Sequence, residues 1–390
     1  MAALIFLRNE QSMTDCQDFN EEQNTVNNLS SKAEGCSANG SFSPSSNDLS
    51  QTPFSEYDKC ELCPRKCGIN RNAGQLGYCL APAKICVSRV SLHMWEEPCI
   101  SGTNGSGTVF FSGCNLHCVF CQNYKISSYN DLGQNGADTR NSVDSGNSVN
   151  PDISFADNTH KTLPGKRIDA DYLARLFVWL QHQNANNINL VTPTHYVPSI
   201  IDAIKKARVM GLEIPILYNS SGYESVETLK MLDGYIDIYL PDCKYANPET
   251  AALYSHAVDY PQTAMQAIRE MVKQTGLPQI DESTGLMKKG VIVRVLVLPG
   301  HTKDAINVIE NLYREFGNSI YISIMNQYTP FPEALPGGSE YDLLRRKLTS
   351  REYDKVVNAA INMGVTLAYT QEGSAASESF VPDFSDNLPI

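Results

Sequence analysis

The sequence predicts an α/β protein whose core is a six-stranded parallel barrel preceded by a cysteine-rich extension. Three observations predict it. From Ile168 onward, short apolar runs alternate with segments whose apolar residues recur at helical spacing, the pattern of parallel strands joined by helical crossovers. Before that pattern begins, three cysteines stand on one loop directly after an apolar run. Earlier still, four further cysteines fall between Cys60 and Cys79.

The elements follow in chain order. Residues 1–55 are rich in Ser, Asn, Gln and acidic residues and show little apolar periodicity. Such a stretch cannot bury enough surface to offset the entropy of ordering, so it is expected as a disordered tail. Residues 56–105 form the cysteine-rich extension, in which Cys60, Cys63, Cys67 and Cys79 are spaced C-x2-C-x3-C-x11-C. Gly68, Gly74 and Gly77 allow the tight turns that bring thiolates together. Four soft ligands suit a structural zinc ion or a second [4Fe–4S] cluster, and the spacing does not separate these from thiols without metal. Cys86 and Cys99 fall outside the pattern and read as packing residues.

The core is expected over 106–372. Its first strand, 108–111, is fed by a loop holding Gly102, Gly105 and Gly107. Residues 131–164 are polar and patternless, and an ordered loop of about 30 residues inside a compact domain is uncommon, so a disordered insertion is expected. Leu173, Leu176, Phe177 and Leu180 fall at helical spacing and predict a helix over 169–183. Strands are then expected at 187–191, 214–219, 236–241, 291–298 and 319–325, with helices over 197–210, 224–232, 246–275 and 304–316. Counted from Thr108, these make six barrel strands. A helix over about 340–363 and a strand at 365–369 follow, and 373–390 reads as a C-terminal tail.

Composition narrows the function. The 390-residue chain carries a formal net charge of −12, whereas phosphate contacts need a basic surface, so nucleic acid is not expected as a partner. No apolar run approaches the ~20 residues of a membrane span. The opening MAALIFLRNE lacks a basic n-region, and acids outnumber bases from Glu10 to Glu34, which disfavours secretory and mitochondrial targeting. A cytoplasmic enzyme is expected, its 12 cysteines serving metal or redox chemistry rather than disulfides.

That chemistry centres on residues 113–123, GCNLHCVFCQN, where Cys114, Cys118 and Cys121 are spaced C-x3-C-x2-C. Grouped thiolates select zinc, copper(I) or an iron–sulfur cluster. A closed site wants four ligands and this loop supplies three, whereas a three-thiolate [4Fe–4S] cluster leaves one iron open to a non-protein ligand. The plainer readings are a zinc knuckle or three thiols that pack as small apolar groups. With Phe120 in the aromatic place, the stretch resembles the C-x3-C-x-aromatic-C signature of the radical S-adenosylmethionine superfamily. The resemblance implies a partial (β/α)6 barrel, a [4Fe–4S] cluster on the three cysteines, and Phe120 against the adenine of S-adenosylmethionine. It also implies reductive cleavage of that cofactor to methionine and a 5′-deoxyadenosyl radical, with an electron donor such as flavodoxin or ferredoxin.

Parallel α/β barrels gather their chemistry at the C-terminal ends of their strands, and the remaining candidates stand there. After the second strand, Thr192 and Thr194 occupy the place where the superfamily's Gly-Gly-Glu-like motif receives the cofactor's amino group. Hydroxyls and carbonyls accept from an ammonium. His195 beside them reads as a site residue or as a satisfied core histidine. After the third strand, Asn219 and Ser221 suit a ribose or carboxylate, or a helix cap. Period-two alternation after the fourth puts Asp242 and Lys244 on one face and Cys243 on the other. That pair resembles the D-x-K of glycyl-radical-enzyme activases, a surface ion pair being the alternative. Arg294, inside an apolar fifth strand, needs a carboxylate from protein or cofactor. Asn123 completes the cofactor-binding candidates, and Asn326, Gln327 and Tyr328 are expected to face the barrel mouth.

Taken in order, CELCPRKC, EEPCISG, GSGTVFFSGCNLHCVFCQNY, VTPTH, YNSSGY, LPDCKY and MNQYTP resemble the PflX-like subgroup, which is akin to the pyruvate formate-lyase activating enzyme. The likeness runs over about 57–372 outside the insertion. It implies the fold and the cofactor, while none of these motifs implies the substrate; the expected activity is that of an oxidoreductase that abstracts a hydrogen atom, with a glycyl-radical enzyme as the first candidate partner. Radical modification of a small molecule and a non-catalytic, metal- or cluster-bearing interaction protein are the alternatives.

Overall fold

The computed structural model describes residues 6–8 (backbone only), 54–127, 163–332, 335–371 and 388–389. The expected tails and insertion therefore lie mostly outside the described residues. The strands are β1 (Phe6–Arg8), β2 (Ile85–His93), β3 (Ser106–Phe111), β4 (Lys166–Ile168), β5 (Ile188–Val191), β6 (Ile216–Ser220), β7 (Ile238–Pro241), β8 (Gln279–Ile280), β9 (Met287–Leu296), β10 (Tyr321–Met325) and β11 (Ala368–Thr370). They join one sheet in the order β1-β11-β10-β9-β7-β6-β5-β3-β2-β4, with β8 hanging on β9.

The run β3-β5-β6-β7-β9-β10 is parallel throughout, and it corresponds to the six expected barrel strands. Its strands bury both faces, which is why they read as short continuous apolar runs rather than alternating ones. Helices α1 (Ala170–His182), α2 (Val197–Val209), α3 (Val226–Met231), α4 (Pro248–Ser255), α5 (Tyr260–Thr275) and α6 (Thr302–Phe316) make the crossovers, and α7 (Ser350–Met363) leads into β11. Leu173, Leu176, Phe177 and Leu180 of α1 are fully buried, and the Asp169 carboxylate caps that helix through Tyr172 N.

Several elements differ from expectation. The helical region expected over 246–275 consists of two helices, because His256 adopts a left-handed conformation (φ 53°) and closes α4. The helix expected from about 340 begins only at Ser350, where Thr349 and Glu352 form a capping box. Within the extension, β2 pairs antiparallel with β3, and β4 pairs with β2 in turn. The start of β2 is buried on both faces, so it shows no period of two to read. Residues 6–8, within the expected disordered tail, form β1 and pair with the edge of β11, so the parallel run continues past the expected six strands. Leu163 and Pro164, the last residues of the expected insertion, are also placed, Leu163 in the core. Among the described residues, no helix is long and apolar enough to cross a membrane.

Candidate functional site

A cavity of about 230 Å³ lies at the C-terminal ends of the parallel strands. Residues at or just after the C-terminal ends of β3, β5, β6, β7, β9 and β10 all border it. Six flat strands at about 4.8 Å spacing would set the outer two some 24 Å apart, so one cavity shared by all six requires the sheet to curl. This is the geometry of a barrel mouth.

Cys114, Cys118 and Cys121 all border the cavity, as do Phe120 and Asn123. β3 is buried along its whole length and ends at Phe111; two residues on, Gly113 turns the chain with φ 91° into the cysteine loop. Each sulfur meets a donor: Leu116 N to Cys114 at 3.4 Å, Ser255 Oγ to Cys118 at 2.9 Å and Ser127 Oγ to Cys121 at 3.3 Å. Burial pushes the Cys118 thiol up to about 12 and raises that of Cys121 as well, so a strong positive charge is needed to make them thiolates. Phe120 lies edge-on to Tyr245, Tyr254 and Tyr328, with centroids 6.3–6.5 Å apart. Among the described residues no group of three His, Cys, Asp or Glu side chains stands already converged as an ion cage. What fits an iron–sulfur cluster is the donor chemistry, three soft sulfurs on one wall of an open cavity.

Within electrostatic reach of the Cys118 and Cys121 thiols, Lys244 Nζ lies 2.5 Å from Asp242 Oδ2, and both residues border the cavity while Cys243 is buried away from it. Burial alone would pull Lys244 down. Asp242 and the thiols of Cys118 and Cys121 outweigh it and hold the ammonium above the usual lysine range. Asp242 is set by a close backbone approach: a Cβ on Gly222 (φ 76°) would stand 2.1 Å from Asp242 O. Asn219 and Ser221, on the adjoining strand end, also border the cavity.

The two threonines after β5 part company. Thr192 borders the cavity and adopts φ 57°, a conformation a β-branched residue rarely takes outside functional sites. Thr194 does not reach it. The chain turns into a 3-10 helix over Thr194–Tyr196, and the Thr194 hydroxyl donates to Glu224 Oε1 at 2.8 Å, in a buried position. His195 also faces away, donating from Nε2 to Ser112 O at 2.8 Å. Burial and then Arg71 pull its pKa to about 3, so the ring is neutral.

Glu224 itself is 1% exposed, and among the described residues its carboxyl meets hydroxyls, those of Thr194, Tyr218 and Ser220. Burial raises its pKa from 4.5 to about 7. The folded state therefore binds more protons than the unfolded state between these values, and stability falls as pH rises through that window. The loss amounts to about 3 kcal/mol by linkage. Glu224→Gln is expected to abolish this slope and to be the more stable protein at pH 8, as read by urea denaturation at pH 5 and 8. An unchanged slope would contradict the assignment.

Arg294 borders the cavity but its partners are protein carboxylates. It donates Nε to Glu97 Oε1 at 2.8 Å and Nη2 to Glu97 Oε2 at 2.6 Å, and Nη2 also meets Glu96 Oε2. Asn189 Nδ2 donates to Glu96 Oε1 at 2.7 Å. Burial would raise Glu96, but Arg294 overrides it and holds the carboxyl below its usual range. Glu96, with His93 and Trp95, brings the extension into the cavity wall, which sequence reasoning missed. The signal was the unmet charge of Arg294. At the end of β10, Gln327 borders the cavity, Asn326 is bonded to Gln371, and Tyr328 packs on Phe120 and donates to Leu344 O. Cys60, Cys63, Cys67 and Cys79 border a separate, smaller cavity.

No protein-family model matches the chain. The chain is 27% identical over 320 residues to the uncharacterized protein MJ0674 of Methanocaldococcus jannaschii, covering 80% of this chain and 77% of that protein. Among solved structures it is similar to Streptococcus suis SuiB bound to S-adenosylmethionine, at 10% identity and a TM-score of 0.41 over 67% of this chain and 48% of SuiB. It is also similar to the FeFe-hydrogenase maturase HydG from Carboxydothermus hydrogenoformans, at 12% identity and a TM-score of 0.37 over 54% of this chain and 53% of HydG. The chain thus spans about half the length of these two structural neighbours.

Proposed function

We propose that the protein is a radical S-adenosylmethionine enzyme whose cavity holds S-adenosylmethionine against a [4Fe–4S] cluster on Cys114, Cys118 and Cys121. The observation that carries this reading is the convergence of three thiols, Phe120 and the Asp242–Lys244 pair on one cavity at the strand ends. When bound, the cluster and S-adenosylmethionine supply a 5′-deoxyadenosyl radical that abstracts hydrogen from a substrate. Lys244 offsets the negative charge that three thiolates bring. Phe120 offers the adenine an aromatic face held in place by three tyrosines. Thr192, Asn123, Asn219 and Ser221 supply hydroxyls, amides and carbonyls for the cofactor's ammonium, carboxylate and ribose. Thr194 is no part of this set, and Arg294 acts through Glu96 and Glu97 by shaping the wall.

The direct test is anaerobic reconstitution with iron and sulfide, reduction by dithionite or flavodoxin, and assay for 5′-deoxyadenosine. Its formation is expected. None from protein carrying about four iron atoms at the triad would sink the reading. For the substrate, the uncharged amides and hydroxyls of Asn219, Ser221 and Gln327 suit a peptide backbone, which favours activation of a glycyl-radical enzyme. A partner labelled with deuterated glycine is expected to pass deuterium into 5′-deoxyadenosine and to show a glycyl radical by electron paramagnetic resonance. Transfer from a small-molecule extract instead, with every such partner silent, moves the reading to small-molecule modification.

A further inference from the structure

The four cysteines of the extension close a pocket of their own, and its surroundings reach the first. Cys60, Cys63, Cys67 and Cys79 border one cavity of about 10 Å³ together with Arg71 and His195. That is room for about one water-sized sphere, so a single ion fits where a cubane does not. Gly77 leaves the space for Cys67, since a Cβ there would stand 2.9 Å from its sulfur.

Two rim residues each carry a buried polar atom without a partner, Arg71 Nε and His195 Nδ1. Arg71 is 2% exposed, and among the described residues it has no carboxylate partner. Its Nη1 and Nη2 donate to the carbonyls of His195 and Pro82 at 2.5 and 2.6 Å, and its guanidinium lies 4.0 Å over the Tyr57 ring. A buried guanidinium wants a counter-charge, and metal-bound thiolates beside it would provide one. They would also accept from Nε. His195, with its proton on Nε2 facing Ser112 O, keeps a lone pair at Nδ1 that a cation nearby would stabilise.

The same extension grips the triad loop from outside. Arg65, between Cys63 and Cys67, donates to Asn115 O at 3.0 Å, His256 O at 2.6 Å and Ser255 O at 3.2 Å. Ser255 is the residue whose hydroxyl meets Cys118. Tyr78, next to Cys79, donates to Leu116 O at 3.2 Å and packs on His117 at 4.8 Å. Cys79 O presses so closely on Gly113 that a Cβ there would stand 2.5 Å away. We propose that Cys60, Cys63, Cys67 and Cys79 draw in around one divalent ion of the zinc class, and that this ion fixes the triad loop through Arg65, Tyr78 and Cys79. The second half rests on Cys114, Cys118 and Cys121 being cluster ligands; the first half does not.

Elemental analysis of the Cys114→Ala/Cys118→Ala/Cys121→Ala protein, purified anaerobically, is expected to find about one zinc per chain. About four iron in its place, or no metal, overturns the single-ion site. Arg65→Ala leaves all of these cysteines in place. It is expected to keep the zinc and to lower iron uptake at the triad severalfold, whereas Cys63→Ser/Cys67→Ser loses both. Full iron uptake in zinc-free protein, with an unchanged electron paramagnetic resonance spectrum of the reduced cluster, overturns the coupling. Because the cysteine variant can misfold, wild-type protein is also stripped with a chelator and proteolysed. Faster cleavage within 58–80, reversed by added zinc, is expected, and an identical pattern overturns the ion site. Absence of 5′-deoxyadenosine from protein holding its zinc counts against the proposed activity and leaves the ion site standing.

Discussion

Cys118→Ala is expected to remove the broad iron–sulfur absorption of the reconstituted triad and to bring 5′-deoxyadenosine formation below detection, while the fold survives. The two outcomes separate because the sulfur does little structural work. Among the described residues its one bond is accepted from Ser255 Oγ at 2.9 Å, and trading a thiol for a methyl removes one small group from a partly buried loop. Large-to-small changes of that size cost about 1 kcal/mol. The chemical loss is of another order. The loop has three soft donors, and with two left no closed set can be completed from this wall of the cavity. Burial holds the Cys118 proton up to about 12, with Lys244 working in the other direction, so the sulfur becomes an anion only when a metal charge is brought to it. Thermal unfolding checks the first outcome; iron content and product assay check the second. A protein that keeps full iron content and activity without Cys114, Cys118 and Cys121 would remove the central assignment.

What could be read from the sequence depended on how local each feature is. The triad is a matter of spacing within one loop, and Asp242 and Lys244 follow from alternation carried straight off the end of β7, so their place beside one cavity was legible. Thr194 was misplaced for the converse reason. Alternation stops at Val191, the chain enters the 3-10 turn over Thr194–Tyr196, and the hydroxyl lands on Glu224 rather than in the cavity. Glu224 gave no sign of itself, because an acid near the start of a helix looks like a first-turn residue until its burial is known. β2 was hidden because its first residues are buried on both faces, while β3 and β4 pair along its edges. Arg294 lies between these cases: the need for a carboxylate was plain, but the two that meet it lie almost 200 residues earlier, 197 and 198 positions away.

That arginine carries the largest expected effect on stability. Arg294→Leu is expected to cost about 3–5 kcal/mol, the usual penalty for breaking a buried pair by removing one partner. Its side chain is 11% exposed, and those of Glu96 and Glu97 are 7% and 5% exposed, so water cannot replace it. Two neighbouring carboxylates would then face each other without a cation, and one must take a proton or leave the interior. The contribution of this trio to the pH dependence should reverse sign as a result. In the wild type the Glu96 carboxyl is held below its usual range, so its contribution is present above about pH 4.5 and is lost as pH falls through the depressed value. In Arg294→Leu the folded protein would prefer the protonated acid, and stability should rise on acidification from pH 7 to 5 more steeply than in the wild type, where Glu224 supplies the slope. Adding Glu96→Gln and Glu97→Gln removes the stranded charges and is expected to recover most of the loss. Urea denaturation of the three proteins at pH 5 and 7 decides the matter. If Arg294→Leu is as stable as the wild type at pH 7, the trio is a surface-like pair worth little, and the cavity wall must owe its position to packing alone.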